Sequence, residues 1–220
     1  MKILSKAVCL TAVLAALAPG AASAQTPPAN TGATGNVNGS FQDVMWQVST
    51  NGGATWSAAY QVQGPPSPPW LANTAAYSWI SATLSGSGSG PDYMFRTSFD
   101  LTGYDASTAV MTFQCAIDNN ATATSFYSLN GGAYGGNCGS TANGYQFTGT
   151  NTVNSGFVSG TNSLTFHFAG DGTTDGLVVG DMALSASAVT ATPEPASLFL
   201  LGTGLIGVLG VARGARRKLA

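Results

Sequence analysis

Tyr93-Met94-Phe95-Arg96-Thr97-Ser98-Phe99-Asp100-Leu101 is the stretch that decides the fold. Its odd positions are mostly apolar, while its even positions carry Arg96, Ser98 and Asp100. A period of two sends successive side chains to opposite faces, which is the mark of a half-buried β-strand. The alternation returns in Met111, Phe113, Cys115 and Ile117, and in Leu164, Phe166 and Phe168 with Thr165 and His167 opposite. It returns once more in Met182, Leu184, Ala186 and Ala188. Turn-forming pairs punctuate these runs: Asn51-Gly52-Gly53, Asn130-Gly131-Gly132, Asn143-Gly144, Asp171-Gly172 and Asp175-Gly176. No helical period of useful length occurs between the two ends. The expected fold is therefore all-β, an antiparallel two-sheet β-sandwich of jelly-roll type over residues 41–189.

Composition supports that class. Charged residues make up 7% of the 220-residue chain, against roughly 25% in an average soluble protein. Helical bundles and coiled coils, which need charged wet faces, are excluded. An apolar share of 44%, with 4 Trp, 7 Tyr and 10 Phe, excludes a disordered chain. The charges are also unevenly placed. Lys2, Lys6, Arg213, Arg216, Arg217 and Lys218 crowd the ends, leaving Arg96 as the only basic residue between Gln25 and Thr192. Eight Asp and no Glu share that stretch, giving it a net charge of −7. Nucleic-acid binding needs a basic surface to displace phosphate counterions, so it is excluded.

Both ends read as targeting devices. Residues 1–24 have the form of a secretory signal peptide: Lys2 and Lys6, an apolar run from Ala7 to Leu17, and the small-residue site Ala22-Ser23-Ala24. The signal segment is expected to be helical, and residues 25–40 to form a flexible leader rich in Pro, Asn, Gly, Thr and Ser. At the other end, Ala196 to Ala212 carries no charge and has the length of a short transmembrane helix. Gly204, Gly207 and Gly210 leave it one smooth face, and the basic terminus should stay cytoplasmic.

Pro193-Glu194-Pro195, the short glycine-rich apolar helix and the terminal Arg213, Arg216 and Arg217 closely resemble the PEP-CTERM sorting signal of Gram-negative bacteria. The resemblance covers about residues 190–220. It implies an exosortase as processing partner, transient membrane anchoring through the C-terminal helix, and release to the cell surface or extracellular matrix. It carries no information about what the body does.

Two cysteines remain after signal cleavage, Cys115 and Cys138. In an oxidising compartment such a pair reads as a disulfide. Zinc is the alternative, but two Cys and one distant His are too few ligands to recommend it. Phe99-Asp100-Leu101, Ala116-Ile117-Asp118-Asn119-Asn120, Ser128-Leu129-Asn130-Gly131 and Gly160-Thr161-Asn162-Ser163-Leu164-Thr165-Phe166 resemble the galactose-binding-like and carbohydrate-binding-module sandwiches of bacterial surface proteins. That resemblance spans roughly residues 93–189 and implies fold more than ligand. The chain departs from it by its near absence of basic residues.

Catalytic chemistry finds little material. His167, the sole histidine, lies on an alternating strand and reads as a surface or edge residue. With no Glu in the body, a Glu pair for glycoside hydrolysis is absent, and no G-x-S-x-G elbow or S-x-x-K occurs. The expectation is a protein that is not an enzyme. Aromatic residues offer more. Trp46, Trp56, Trp70, Tyr77 and Trp79 crowd the first third of the body. Flat rings stack on sugar rings, and they also dominate the cores of sandwiches. Trp56, Trp70 and Tyr77 are the candidate ligand-binding rings, Trp70 because the stiff run Pro65-Pro66-Ser67-Pro68-Pro69 precedes it.

Asp171-Gly172-Thr173-Thr174-Asp175-Gly176 matches the first half of a calcium loop, with Met182 at position twelve and Asp181 beside it. A hairpin turn explains the same residues. Asp171, Asp175 and Asp181 are thus a candidate structural calcium set, and no other cofactor is expected. The resulting expectation is an exported, non-catalytic protein associated with extracellular polysaccharide. The alternatives are a purely structural matrix protein and, behind it, a secreted hydrolase.

Overall fold

The computed structural model describes residues 28–33, 39–63, 70–87, 92–118, 126–170, 173–189 and 202–203. The chain divides into one unit of Met1–Ala22 with Thr190–Ala220 and a second of Ser23–Val189. The signal helix, the sorting residues Pro193, Glu194, Pro195, Arg213, Arg216 and Arg217, and most of the helix expected over 196–212 lie outside the described residues; Gly202 and Thr203 are helical. Among the described residues no helix is long and apolar enough to cross a membrane.

The second unit is built of strands: β1 (Gln42–Ser49), β2 (Ser57–Gln61), β3 (Ile80–Ser81), β4 (Tyr93–Asp100), β5 (Tyr104–Asp118), β6 (Tyr127–Leu129), β7 (Asn151–Val153), β8 (Thr161–Phe168) and β9 (Gly176–Ala188). They form one antiparallel sheet in the order β6-β8-β4-β1-β2-β3-β9-β5-β7. The two-sheet, jelly-roll division expected from the sequence is thus replaced by a single sheet. The link is short: β3 is two residues long, and it joins β2 through Tyr60↔Ser81 and Gln61↔Ile80, and β9 through Ile80↔Leu177. Two residues are too few to show a period, so alternation could not reveal the link.

The sheet curls until its two halves pack on each other. Phe113 of β5 meets Phe166 of β8 at 5.6 Å and Tyr127 of β6 at 4.9 Å, both edge-on. These strands stand near opposite ends of the sheet order, so only curling brings them together. The inner rows are those that alternation picked out: Tyr93, Phe95 and Phe99; Met111, Phe113, Cys115 and Ile117; Leu164, Phe166 and Phe168, all buried. The fourth row is less covered. Met182, Leu184 and Ala186 are half-buried, and Ala188 is exposed.

The leader expected to be flexible over 25–40 is anchored at residues 28–33. Thr31 is fully buried. Its amide donates to the Val179 carbonyl (3.1 Å), and its hydroxyl accepts from the Val179 amide (2.9 Å). Its carbonyl accepts from the Ser78 amide (2.8 Å). The Trp46 indole donates to the Ala29 carbonyl (3.0 Å), and the Gly32 amide donates to the Asp43 carboxylate (2.7 Å). A polar, glycine-bearing stretch reads as a loop from composition, yet its backbone groups are consumed by β1, β9 and the segment before β3. The folded body therefore begins before residue 41.

Cys115 and Cys138 are joined as a disulfide with Cα atoms 4.8 Å apart. The joined segment is also stitched to β5 by backbone: the Ile117 amide donates to the Gly139 carbonyl (2.8 Å), and the Gly139 amide donates to the Cys115 carbonyl (2.9 Å). A Cβ at Gly139 would fall 1.6 Å from the Gln146 carbonyl oxygen, so no side chain fits there. The exported protein is expected to show no free thiol without reductant, and stoichiometric thiol labelling at either cysteine would refute this. Reduction should cost about 3 kcal/mol by loop entropy for a bridge of sequence separation 23, read as a lower melting temperature.

Candidate functional site

The inner aromatic rows determine which residues face outward. With Phe95 and Phe99 of β4 turned inward, Met94, Arg96, Ser98 and Asp100 line the outer face. In β8 the outer residues are Ser163, Thr165 and His167, and in β1 Gln47 lies outside the buried Trp46 and Val48. Register then sets them in rows. Gln47, Arg96 and Thr165 are direct cross-strand partners, and so are Ser49, Met94 and His167 in the next row. Arg96 and His167 are thus diagonal neighbours, a spacing that long side chains can span. The only arginine and the only histidine of the body share one patch of one face.

Two contacts hold the Arg96 side chain. Its Nε donates to Gln47 Oε1 (2.8 Å), and its guanidinium carbon lies 4.0 Å from the centre of the Trp56 ring. Trp56 is delivered by the turn between β1 and β2. Ser49 Oγ donates to Asn51 Oδ1 (2.9 Å) and accepts from the Gly53 amide (2.9 Å); Asn51 Oδ1 also accepts from the Thr55 amide (3.0 Å). Gly52 and Gly53 adopt φ of +65° and +87°, values that favour glycine.

His167 Nε2 pairs with the Asp92 carboxylate, and the Tyr134 ring centre lies 5.4 Å from that of the imidazole. Burial first, and the Asp92 charge second, push the Tyr134 phenol above its ordinary value. Its hydroxyl therefore stays neutral and able to donate throughout the physiological range. The strip runs from Trp56 through Arg96 and Met94 to His167 and Tyr134, with Thr165 and Ser163 beside it.

Of the rings expected to bind ligand, Trp56 is in this strip and half-buried. Trp70 is not. It is only 9% exposed, stacks on Trp79 with ring centres 4.1 Å apart, and its indole donates to Asp118 Oδ2 (2.6 Å). The expectation that Trp70 projects outward is corrected: an indole that finds both a ring and an acceptor inside gains more by burial. Tyr77 is half-buried and packs edge-on against Phe147 at 5.3 Å, over Gly180. It belongs to the same satellite core as Trp70.

The calcium set does not assemble. Asp171 lies outside the described residues. Asp175 is buried before β9, beside Asp118, whose Cα partner is Gly176. Asp181 is exposed six positions further along the strand, roughly 20 Å away at about 3.3 Å per residue. It occupies a bulge in the β5–β9 ladder with φ +51°. A calcium loop must double back between these positions, and here the chain is extended. Among the described residues no three His, Cys, Asp or Glu side chains group closely enough to hold a metal ion.

Sequence reasoning missed Asp92, Tyr134 and Gln47 as parts of a site. Nothing marks Asp92 or Tyr134 in the chain, because a fold spanning 75 residues brings Asp92 to His167. Arg96 left a usable signal: a lone cation at an outward position of an alternating strand.

The PEP-CTERM protein-sorting motif matches residues 191–218, so the chain carries this sorting signal at its C-terminus. The motif marks an exported protein of the Gram-negative cell envelope or surface, recognised by an exosortase. No curated protein and no solved structure matches the chain.

Replacing Trp70 with Ala should cost about 3–5 kcal/mol of stability, as expected for a buried Trp. Replacing Trp56 with Ala should cost about 1 kcal/mol, chiefly its contact with Arg96. Chemical denaturation of both variants measures the difference, and equal losses would place Trp56 in the core as well.

Proposed function

We propose that the chain is a non-catalytic protein of the cell surface or extracellular matrix that associates with extracellular polysaccharide through the outer strip of β1, β4 and β8. It enters the export route by the signal peptide of residues 1–24. The apolar helix of 196–212 then anchors it in the membrane until processing. The observation carrying the reading is the gathering of Trp56, Arg96, His167 and Tyr134 on one hydroxyl-bearing outer sheet face of an exported protein. Aromatic and hydroxyl groups side by side suit sugars, which present both apolar C–H and polar O–H groups.

A second reading, a matrix protein without a specific ligand, is favoured by the burial of Trp70 and the packing of Tyr77. Two of the three rings first assigned to a ligand serve the core.

Two measurements test these readings. Intact mass of the extracellular form should show loss of about the first 24 residues and of most residues beyond Pro195. A full-length C-terminus in the matrix fraction would contradict processing. Co-sedimentation of the processed protein with its own extracellular polysaccharide should fall about tenfold or more on Trp56→Ala, and change little on Tyr77→Phe. Absence of any association would leave the structural reading in possession.

A further inference from the structure

We propose that Arg96 is the recognition group of this strip, and that it binds the carboxylate of acidic sugar units, uronates, in the polysaccharide. The inference rests on the polysaccharide reading of the same strip and names its ligand class.

The first ground is what Trp56 presents. One face of its ring is covered by the Arg96 guanidinium at 4.0 Å. The strip therefore offers a ligand a stacked cation at this point in place of a bare ring face. The second ground is preorganisation. Stacking fixes the plane of the guanidinium, and the Nε bond to Gln47 (2.8 Å) fixes its rotation. An arginine so held has already lost the side-chain freedom that binding would otherwise cost. Its terminal NH2 groups donate to no described residue. A planar fork with free terminal donors matches a carboxylate through two parallel hydrogen bonds.

The third ground is the neighbourhood. Thr165 is the direct cross-strand partner of Arg96, and Ser163 and Ser98 are partners in a nearby row. Hydroxyls flank the guanidinium where ring hydroxyls of a sugar would lie. The large exposed apolar side chains of the described residues are Val44, Leu84, Val110, Val158 and Val189, none of which belongs to the strip. A protein partner would need an apolar centre to its interface, so a glycan fits this surface better. The fourth ground is the field. His167 is already engaged by the Asp92 carboxylate, and the body as a whole carries −7 with that histidine counted as neutral. An acidic polymer is repelled everywhere except at a specific, positively charged contact. Capture of a polyanion by this protein cannot be simple ion exchange.

Affinity electrophoresis of the processed protein through gels holding polygalacturonate, dextran or poly-glutamate tests the assignment. Retardation by polygalacturonate alone is expected. It should weaken about tenfold in Arg96→Gln and in Arg96→Lys, which keeps the charge and loses the fork. Gln47→Leu should weaken it less, since the guanidinium remains. Melting curves of all three variants check folding, and an unfolded Arg96→Gln leaves the comparison to Arg96→Lys and Gln47→Leu. Polygalacturonate binding unchanged in Arg96→Lys and Arg96→Gln would overturn the role of Arg96. Equal retardation by dextran would overturn the carboxylate class while leaving polysaccharide binding standing. Equal retardation by poly-glutamate would point to a protein carboxylate instead. No retardation by any polymer, with no binding to the native polysaccharide, would sink both readings together.

Discussion

The contact of Phe113 with Phe166 across the curled sheet holds the rest of the body in place. Phe166 is packed in turn against Trp46, while Tyr93, Phe95 and Phe168 stack within the same interior. Because strand side chains alternate strictly, turning these rings inward leaves no freedom over what turns outward. A slip of one residue would bury Arg96 and expose three aromatic rings in β4, or bury His167 and expose two in β8. The outer strip of Arg96 and His167 is thus a by-product of hydrophobic burial, held at the cost of the whole core.

The alternating rows of β4, β5 and β8 were legible because each row is long enough for the period to stand out. The disulfide was legible because export leaves a single pair of cysteines. The C-terminal sorting motif was legible because its three parts follow one another in sequence. What escaped reading depends on long-range partners. Thr31 looks like any residue of a polar leader until Val179, 148 positions away, takes up its amide and hydroxyl. Trp70 looks presentable after a proline run until Asp118 and Trp79 supply an acceptor and a ring. Asp175 and Asp181 look like ligands of one ion until the chain between them proves extended. In each case local chemistry allowed two outcomes, and tertiary partners chose.

The sheet also treats its edges with restraint. The outermost strands, β6 and β7, are three residues each, so neither end offers a long template for pairing with another chain. Charge does little of this work, given how few charged residues the body has. Short edge strands take its place.

The anchoring of residues 28–33 bears on the order of events in folding. Thr31 is held by Val179, which lies in the last strand, so the sheet cannot close until nearly the whole body of the chain is present. Closing it joins segments separated by almost the entire body, and such non-local pairing is slow. A chain built this way stays open while its earlier strands wait, and completes itself only when the last one is in place.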